Sequence, residues 1–268
     1  MKINLPIKLD NNETHQNFQA HEMILGVKVN PTSYQETVQS VIVWAEASQS
    51  RSVCATSVHG LMIAYDNPAF RTVLNAADLI TPDGMPLVWT LRLNGHKNQT
   101  RVYGPTLMEK ILPKAAEKEI PVGLLGSTPR VIEKLQKKFL HKYPHIKIAY
   151  ALSPPFRAFS IEENENMVQE IIRSGARILF VGLGCPKQEL WMHVNKGKIN
   201  AVMVGVGAAF DFIAGEKQQA PDWMQNKGLE WFYRLLKEPK RLWSRYFSIV
   251  PRFLFLMSRE FLKSKFHF

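Results

Sequence analysis

An acid at the end of an apolar run can do chemistry, and Asp83 is such an acid. Leu79-Ile80 reads as a short strand that stops at Thr81-Pro82. Asp83-Gly84 follows, and Met85-Pro86-Leu87-Val88-Trp89 can open a helix. In α/β proteins ligands gather where strands end and helices begin. The Asp83 carboxylate is therefore placed to take a proton from a bound substrate. The plainer reading is that Asp83 caps the next helix, which Asp does well. Position alone leaves both readings open.

Three glycine turns also follow apolar runs: Gly126-Ser127-Thr128, Gly182-Leu183-Gly184-Cys185-Pro186-Lys187 and Gly205-Val206-Gly207-Ala208-Ala209. Glycine lets a backbone approach a phosphate, and the next helix N-terminus offers unpaired N–H groups. Tight turns alone also use glycine. None of the three completes the dinucleotide fingerprint, because Lys187 and Phe210 stand at the last glycine position. That disfavours a nicotinamide-dependent oxidoreductase. No Walker loop, Asp-x-Asp pair or His/Cys cluster with metal spacing is present, so no metal and no cofactor is expected. Cations for a phosphate must then come from side chains such as Arg101, Arg234, Arg241 and Arg245. The last three share one helical face only if a helix runs through Pro239, which more naturally starts a new one. No serine sits in a nucleophile elbow. His59, three residues past Thr56, is either a ligand contact or a loop histidine.

The elements that must position these groups alternate. Strands are expected at Met23–Val29, Ser52–Ser57, Leu79-Ile80, Pro121–Leu125, Ile146–Ala151, Ile178–Val181 and Ala201–Val204. Helices are expected at Ser33–Ala47, Pro68–Ala76, Pro105–Lys118, Val131–Tyr143 and Ile161–Ser174, the last closed by Gly175. Such alternation implies an α/β, Rossmann-like, mostly parallel sheet with helices on both faces. Residues 1–20 read as a flexible lead-in, 21–220 as the catalytic domain and 221–268 as a helical, basic and aromatic C-terminal appendage.

The 268 residues are 46% apolar, enough for a core, and carry a formal charge of +11. Much of that charge lies in the last 41 residues, beside eleven Phe, Trp and Tyr. Basic and aromatic together suits a membrane surface. Nucleic acid, which needs a polar groove, fits less well. An apolar tail away from lipid could also drive homo-oligomerisation. Cys54 and Cys185 sit in apolar stretches and read as buried thiols in a reducing compartment. The polar start has no apolar signal region, and no stretch is long and apolar enough to span a bilayer.

Taken in order, the segments around these residues resemble the WecG/TagA/CpsF family of bacterial glycosyltransferases. They are Ile24–Val27, Ala55-Thr56-Ser57-Val58-His59, Ala76–Trp89, Arg101-Val102-Tyr103-Gly104-Pro105, Pro154–Arg157, Gly182–Glu189, Gly205–Asp211 and Gly228–Leu235. The likeness runs from about residue 23 to 250. It implies an inverting transferase moving a sugar from a UDP-sugar to a polyprenyl-diphosphate-linked sugar, for a cell-surface polymer. The resemblance makes Asp83 the catalytic base and Thr56 its support. It also implies a UDP-sugar site drawn from His59, Arg101, Gly126, Gly184, Gln188, Gly207, Asp211, Arg234 and Arg241. Many relatives carry Asn where this chain has Ser57, which puts donor grip in question. The tail would dock on anionic lipid at the inner face of the bacterial plasma membrane, using Phe253–Met257, Phe261 and Leu262 with Arg252, Arg259, Lys263 and Lys265. A non-catalytic nucleotide-sugar-binding scaffold is the alternative.

Overall fold

The computed structural model describes residues 20–266, and within them every side chain except those of 222, 226, 241, 244, 245 and 263–266. The expected lead-in, save its last residue, and the side chains of Arg241, Arg245, Lys263 and Lys265 lie outside the described residues.

The segment read as one strand at Met23–Val29 is two, β1 (Glu22–Ile24) and β2 (Val27–Val29), paired antiparallel. Leu25-Gly26 makes the turn, with positive φ at both residues. A lone apolar run does not reveal that reversal, although Gly26 is its signal. The other strands are β3 (Arg51–Thr56), β4 (Leu79–Pro82), β5 (Val122–Gly126), β6 (Ile148–Leu152), β7 (Ile178–Gly182) and β8 (Val202–Gly205). They form one parallel sheet in the order β4-β3-β8-β7-β5-β6.

Twelve helices are described: α1 (Tyr34–Glu46), α2 (Val58–Asp66), α3 (Pro68–Asn75), α4 (Met85–Leu93), α5 (Gly104–Glu117), α6 (Pro129–Lys142), α7 (Ile161–Ser174), α8 (Lys187–Asn195), α9 (Ala209–Ile213), α10 (Asp222–Asn226), α11 (Glu230–Lys237) and α12 (Pro239–Phe266). Local chemistry sets several ends. Ser33 and Ser160 close capping boxes with Glu36 and Glu163. Gly175 ends α7 in the left-handed region, as expected from its position.

The sheet's side chains alternate between two cores. Val53, Leu79, Val122, Leu124, Phe180 and Val204 face α1, α5, α6 and α9. Cys54, Ile80, Leu125, Leu179, Val181 and Met203 face α2, α3, α4, α7 and α8. Both faces are covered, which is why the strands read as continuous apolar runs. Cys54 is buried as expected, but Cys185 is exposed, because it lies in the turn beyond β7 rather than in the strand.

The tail divides its aromatic residues. Phe253 and Leu256 join the second core and pack with α2. Arg252 donates to Asp66 Oδ2 at 2.7 Å. These three are therefore spoken for within the protein. Trp243, Phe247, Leu254, Phe255, Phe261 and Leu262 face outward. No helix among the described residues is long and apolar enough to cross a membrane.

At the other end of the sheet, Asp78 fixes where β3 and β4 begin. Its carboxylate is 5% exposed and accepts from the Ser52 N–H at 2.8 Å, from Arg51 at 2.9 Å and from Lys196, just past α8, at 2.8 Å. Burial alone would raise this carboxyl, but Lys196, Arg51 and the Ser52 amide together hold it below its ordinary value. The pairing sets the register that brings Thr56 beside Pro82 at the far edge. Because the folded value is depressed, the stabilisation is present above the unfolded pKa of about 3.9 and is lost as pH falls through the folded value. Asp78→Asn should lose about 3 kcal/mol in urea unfolding at pH 7, with the gap to wild type closing as the pH drops below about 4.

Candidate active site

Asp83 lies one residue past β4, at the carboxyl edge of the sheet. It does not cap α4. The cap position is Gly84, with no side-chain cap bond, and the Asp83 carboxylate points to other partners. Its N–H donates to the Thr56 carbonyl at 3.0 Å, so the ends of β3 and β4 hold the residue by its backbone. Its Oδ1 accepts from Arg101 Nη2 at 3.0 Å, and its Oδ2 accepts weakly from the Gly104 N–H at 3.4 Å. Gly104 opens α5, so the carboxylate also sits at a helix N-terminus, where negative charge is favoured.

Arg101 is delivered by the loop between α4 and α5. Gln99 anchors that loop: it accepts from the Thr32 N–H at 3.0 Å and donates to the Thr32 carbonyl at 2.6 Å. The Val102 N–H donates to the Pro82 carbonyl at 3.0 Å, and Thr81 Oγ1 donates to the Val102 carbonyl at 3.3 Å. The guanidinium between these ties reaches three partners. Nε donates to the Asp83 carbonyl at 2.8 Å, Nη2 to Asp83 Oδ1, and Nη1 to Glu230 Oε2 at 2.5 Å. It stacks on Tyr103, 4.0 Å from the ring centre. Side-chain exposures of 16% for Arg101, 17% for Asp83 and 10% for Glu230 put the cluster well out of bulk water.

Burial pushes the Asp83 carboxyl up, Arg101 pulls it down and Glu230 pushes it up again, leaving it at about 6. Such a carboxyl is mostly ionised at neutral pH yet basic enough to accept a proton, the condition wanted of a general base. Burial opposes the charge on Arg101, but Asp83 and Glu230 more than offset it and raise the guanidinium pKa.

The cluster meets the glycine turns through Gly104. A Cβ there would stand 3.0 Å from the Val206 carbonyl in the turn after β8. Gly207 donates its N–H to Gln188 Oε1 at 3.1 Å, so the turns after β7 and β8 are joined by a buried glutamine. Asp211 joins the turns after β5 and β8, accepting from Ser127 Oγ at 2.8 Å, and pairs with Lys217 at 2.9 Å. Gly126 is packed rather than open: a Cβ there would lie 2.5 Å from the Gly182 carbonyl. Gly184 and Gly207 have positive φ and nothing within 4 Å of a built Cβ, so open space lies over both. Arg234, one turn after Glu230, is 3.8 Å from it and 5.7 Å from the Phe212 ring centre of α9. Its buried Nε has no hydrogen-bond partner, a donor aimed at nothing in the protein. His59 is half-buried on the first turn of α2. Thr56 is buried, and its Oγ1, without a hydrogen-bond partner, lines a cavity of about 20 Å³ with Ser57, Cys185 and Glu189. Such a cavity has room for roughly one water.

The structure thus gathers Asp83, Arg101, Arg234 and the Thr56 backbone. It places Gly184, Gly207, Gln188 and Asp211 along the same sheet edge. Arg241 lies outside the described side chains. Glu230 and the Gly104 N–H, which contact Arg101 and Asp83, are not among the residues expected from the sequence. Glu230 carries no distinguishing local signal, since Glu238 and Glu260 share the tail.

The chain matches the model of the glycosyl transferase WecG/TagA/CpsF family over residues 22–267. It is 33% identical over 196 residues to a Bacillus subtilis protein, covering 73% of this chain and 74% of the relative. A Bacillus spizizenii protein is 32% identical over 206 residues, or 76% and 78% of the two chains. Both are named N-acetylglucosaminyldiphosphoundecaprenol N-acetyl-beta-D-mannosaminyltransferase.

Carbon-detected NMR of the Asp83 carboxyl should show a midpoint near pH 6. Arg101→Gln, which removes the lowering cation, should move that midpoint upward. Because the folded value lies above the unfolded one, Asp83 contributes stability below pH about 3.9 that is lost as pH rises through about 6. Asp83→Asn should therefore melt no lower than wild type at pH 8.

Proposed function

The chain belongs to the WecG/TagA/CpsF family of glycosyltransferases and is a hexosyltransferase, and we propose that it moves an N-acetylmannosamine-type sugar from a UDP-sugar to a polyprenyl-diphosphate-linked sugar with inversion. The observation that carries this reading is Asp83: a carboxylate shielded from water and poised near neutral pH, at a sheet edge lined by glycine turns. The names of the two Bacillus relatives supply the sugar and the lipid-linked acceptor.

The chemistry is one displacement. The acceptor hydroxyl oxygen forms a bond to the anomeric carbon of the donor. The bond from that carbon to the diphosphate oxygen breaks, and UDP leaves with the electron pair. The hydroxyl proton passes to Asp83. A positioned base of this kind contributes typically 10²–10⁴-fold. The leaving diphosphate gains charge, which Arg234 and the helix N-termini after the glycine turns are suited to stabilise. No three His, Cys, Asp or Glu gather as a metal-ligand set among the described residues, and the reading assigns no step to a metal.

The acceptor's polyprenyl chain lies in a bilayer, so the protein must work at its surface. The outward Trp243 and Phe247, stacked 4.2 Å apart, with Leu254 and Phe255 nearby, form an apolar face on a basic helix. That combination supports peripheral docking on anionic lipid at the inner face of the plasma membrane, at about 1 kcal/mol per basic residue near the surface.

Two outcomes test this reading. Asp83→Asn should lose at least 100-fold in turnover with UDP-N-acetylmannosamine and a short-chain polyprenyl-diphosphate N-acetylglucosamine, while binding UDP as before. Unchanged turnover would overturn Asp83 as the base, and UDP binding without any wild-type turnover would leave a nucleotide-sugar-binding scaffold as the better reading. Trp243→Ser with Phe247→Ser should weaken sedimentation with anionic vesicles by roughly tenfold or more, leaving the Asp83 titration unmoved.

A further inference from the structure

Asp83 and Arg101 do not form the forked pair that a carboxylate and a guanidinium usually make. The guanidinium's three bonding edges are divided. Nε is held by the Asp83 carbonyl and Nη1 by Glu230, which leaves Nη2 alone for the Asp83 carboxylate. Only Oδ1 receives it. Oδ2 keeps one long contact, 3.4 Å to the Gly104 N–H, and is the oxygen with capacity to accept a proton. Glu230 comes from α11, 129 residues further along the chain, and is itself buried.

We propose that Glu230 is a positioning residue for the base: by holding Nη1 it confines Arg101 to one oxygen of Asp83 and leaves Oδ2 open to the acceptor hydroxyl. The inference rests on the glycosyltransferase reading above and concerns the same site. With Glu230 uncharged, nothing restrains Nη1, and a guanidinium beside a lone carboxylate favours a fork on both oxygens. The fork would satisfy Oδ2 and weaken the base.

The other groups around Asp83 do not offer that restraint. From the loop come Arg101 and Tyr103, whose phenol burial raises well above its ordinary range. From α1 comes Tyr34, also raised by burial, whose hydroxyl accepts from the Tyr103 N–H at 3.0 Å. From α11 come Glu230 and Arg234, the latter 3.8 Å from Glu230. Helix α5 offers the Gly104 amide. Among the described residues, Glu230 is thus the acid in contact with Arg101 other than Asp83 itself. The direction of its influence agrees, since its charge pushes the Asp83 carboxyl up.

The test is the pH profile of turnover for Glu230→Gln and Glu230→Asp in the full chain, with melting curves for both. Glu230→Gln should move the acid limb about one unit lower, since a neighbouring charge shifts a carboxyl by that order. Its kcat at the plateau should fall by roughly 3- to 10-fold, as expected of a weaker base, with the KM for UDP-N-acetylmannosamine little changed. Glu230→Asp keeps the charge but withdraws it by one methylene, and should move the limb the same way by less. An acid limb that stays in place in both variants overturns the inference, whatever happens to kcat. If Glu230→Gln does not fold, Glu230→Asp alone decides by the same criterion. A wild-type profile that survives Asp83→Asn would instead sink the glycosyltransferase mechanism, so the two failures are distinct.

Discussion

One buried cation shared by two acids, Arg101 between Asp83 and Glu230, organises this protein's working edge. Taking a guanidinium and two carboxylates out of water is unfavourable unless geometry and further hydrogen bonds compensate. The compensation is visible in the Asp83 carbonyl, the Gly104 amide and the Tyr103 ring. They come from the end of β4 and from the start of α5, so both must be correctly placed for the cluster to be tolerable. The β3–β4 pairing supplies Asp83, the Gln99–Thr32 clamp supplies Arg101, and α11 supplies Glu230. Removing Arg101 would leave two buried carboxylates without their shared cation, a situation that is strongly destabilising.

That dependence explains why part of the molecule was readable in its sequence and part was not. The sheet was legible because strands covered on both faces must be continuous apolar runs, and glycine must stand where their ends crowd. Asp83 was legible as an acid at a strand end. Helix α2 escaped because it is apolar almost all round, and α8 because it turns polar residues inward. Gly60, Leu61, Met62 and Ala64 are buried in α2, while α8 buries Gln188, Glu189 and Asn195 beside Trp191 and Met192. A polar residue facing inward erases the stripe that marks a surface helix. Glu230 escaped for a different reason. Its partner is 129 residues away, and nothing local to the tail calls for an acid there.

The tail shows how far composition alone can go. Its basic and aromatic character pointed to a surface segment, but composition does not say which aromatic faces which way. The structure turns Phe253 and Leu256 into the core beside α2 and leaves Trp243, Phe247, Leu254 and Phe255 outside. Pro239 decides this split. It breaks α11 from α12, so Glu230 and Arg234 stay on a short helix against the carboxyl edge of the sheet while the longer helix runs over α2.

The split has an electrostatic consequence at the site. Asp83, Arg101, Glu230 and Arg234 carry two negative and two positive charges, so the edge is close to neutral. Arg101 is committed to the acids, whereas the Arg234 Nε is buried with no hydrogen-bond partner. A buried donor of that kind is expensive to leave unmade, and an anion arriving at the glycine turns is the natural group to satisfy it. Once an anion engages Arg234, the weak 3.8 Å contact to Glu230 is the easiest to give up, and Glu230 is left to Arg101 alone. By that argument, a negatively charged substrate would tighten the restraint on Arg101 at the moment the base is needed, with α11 carrying both halves of the exchange.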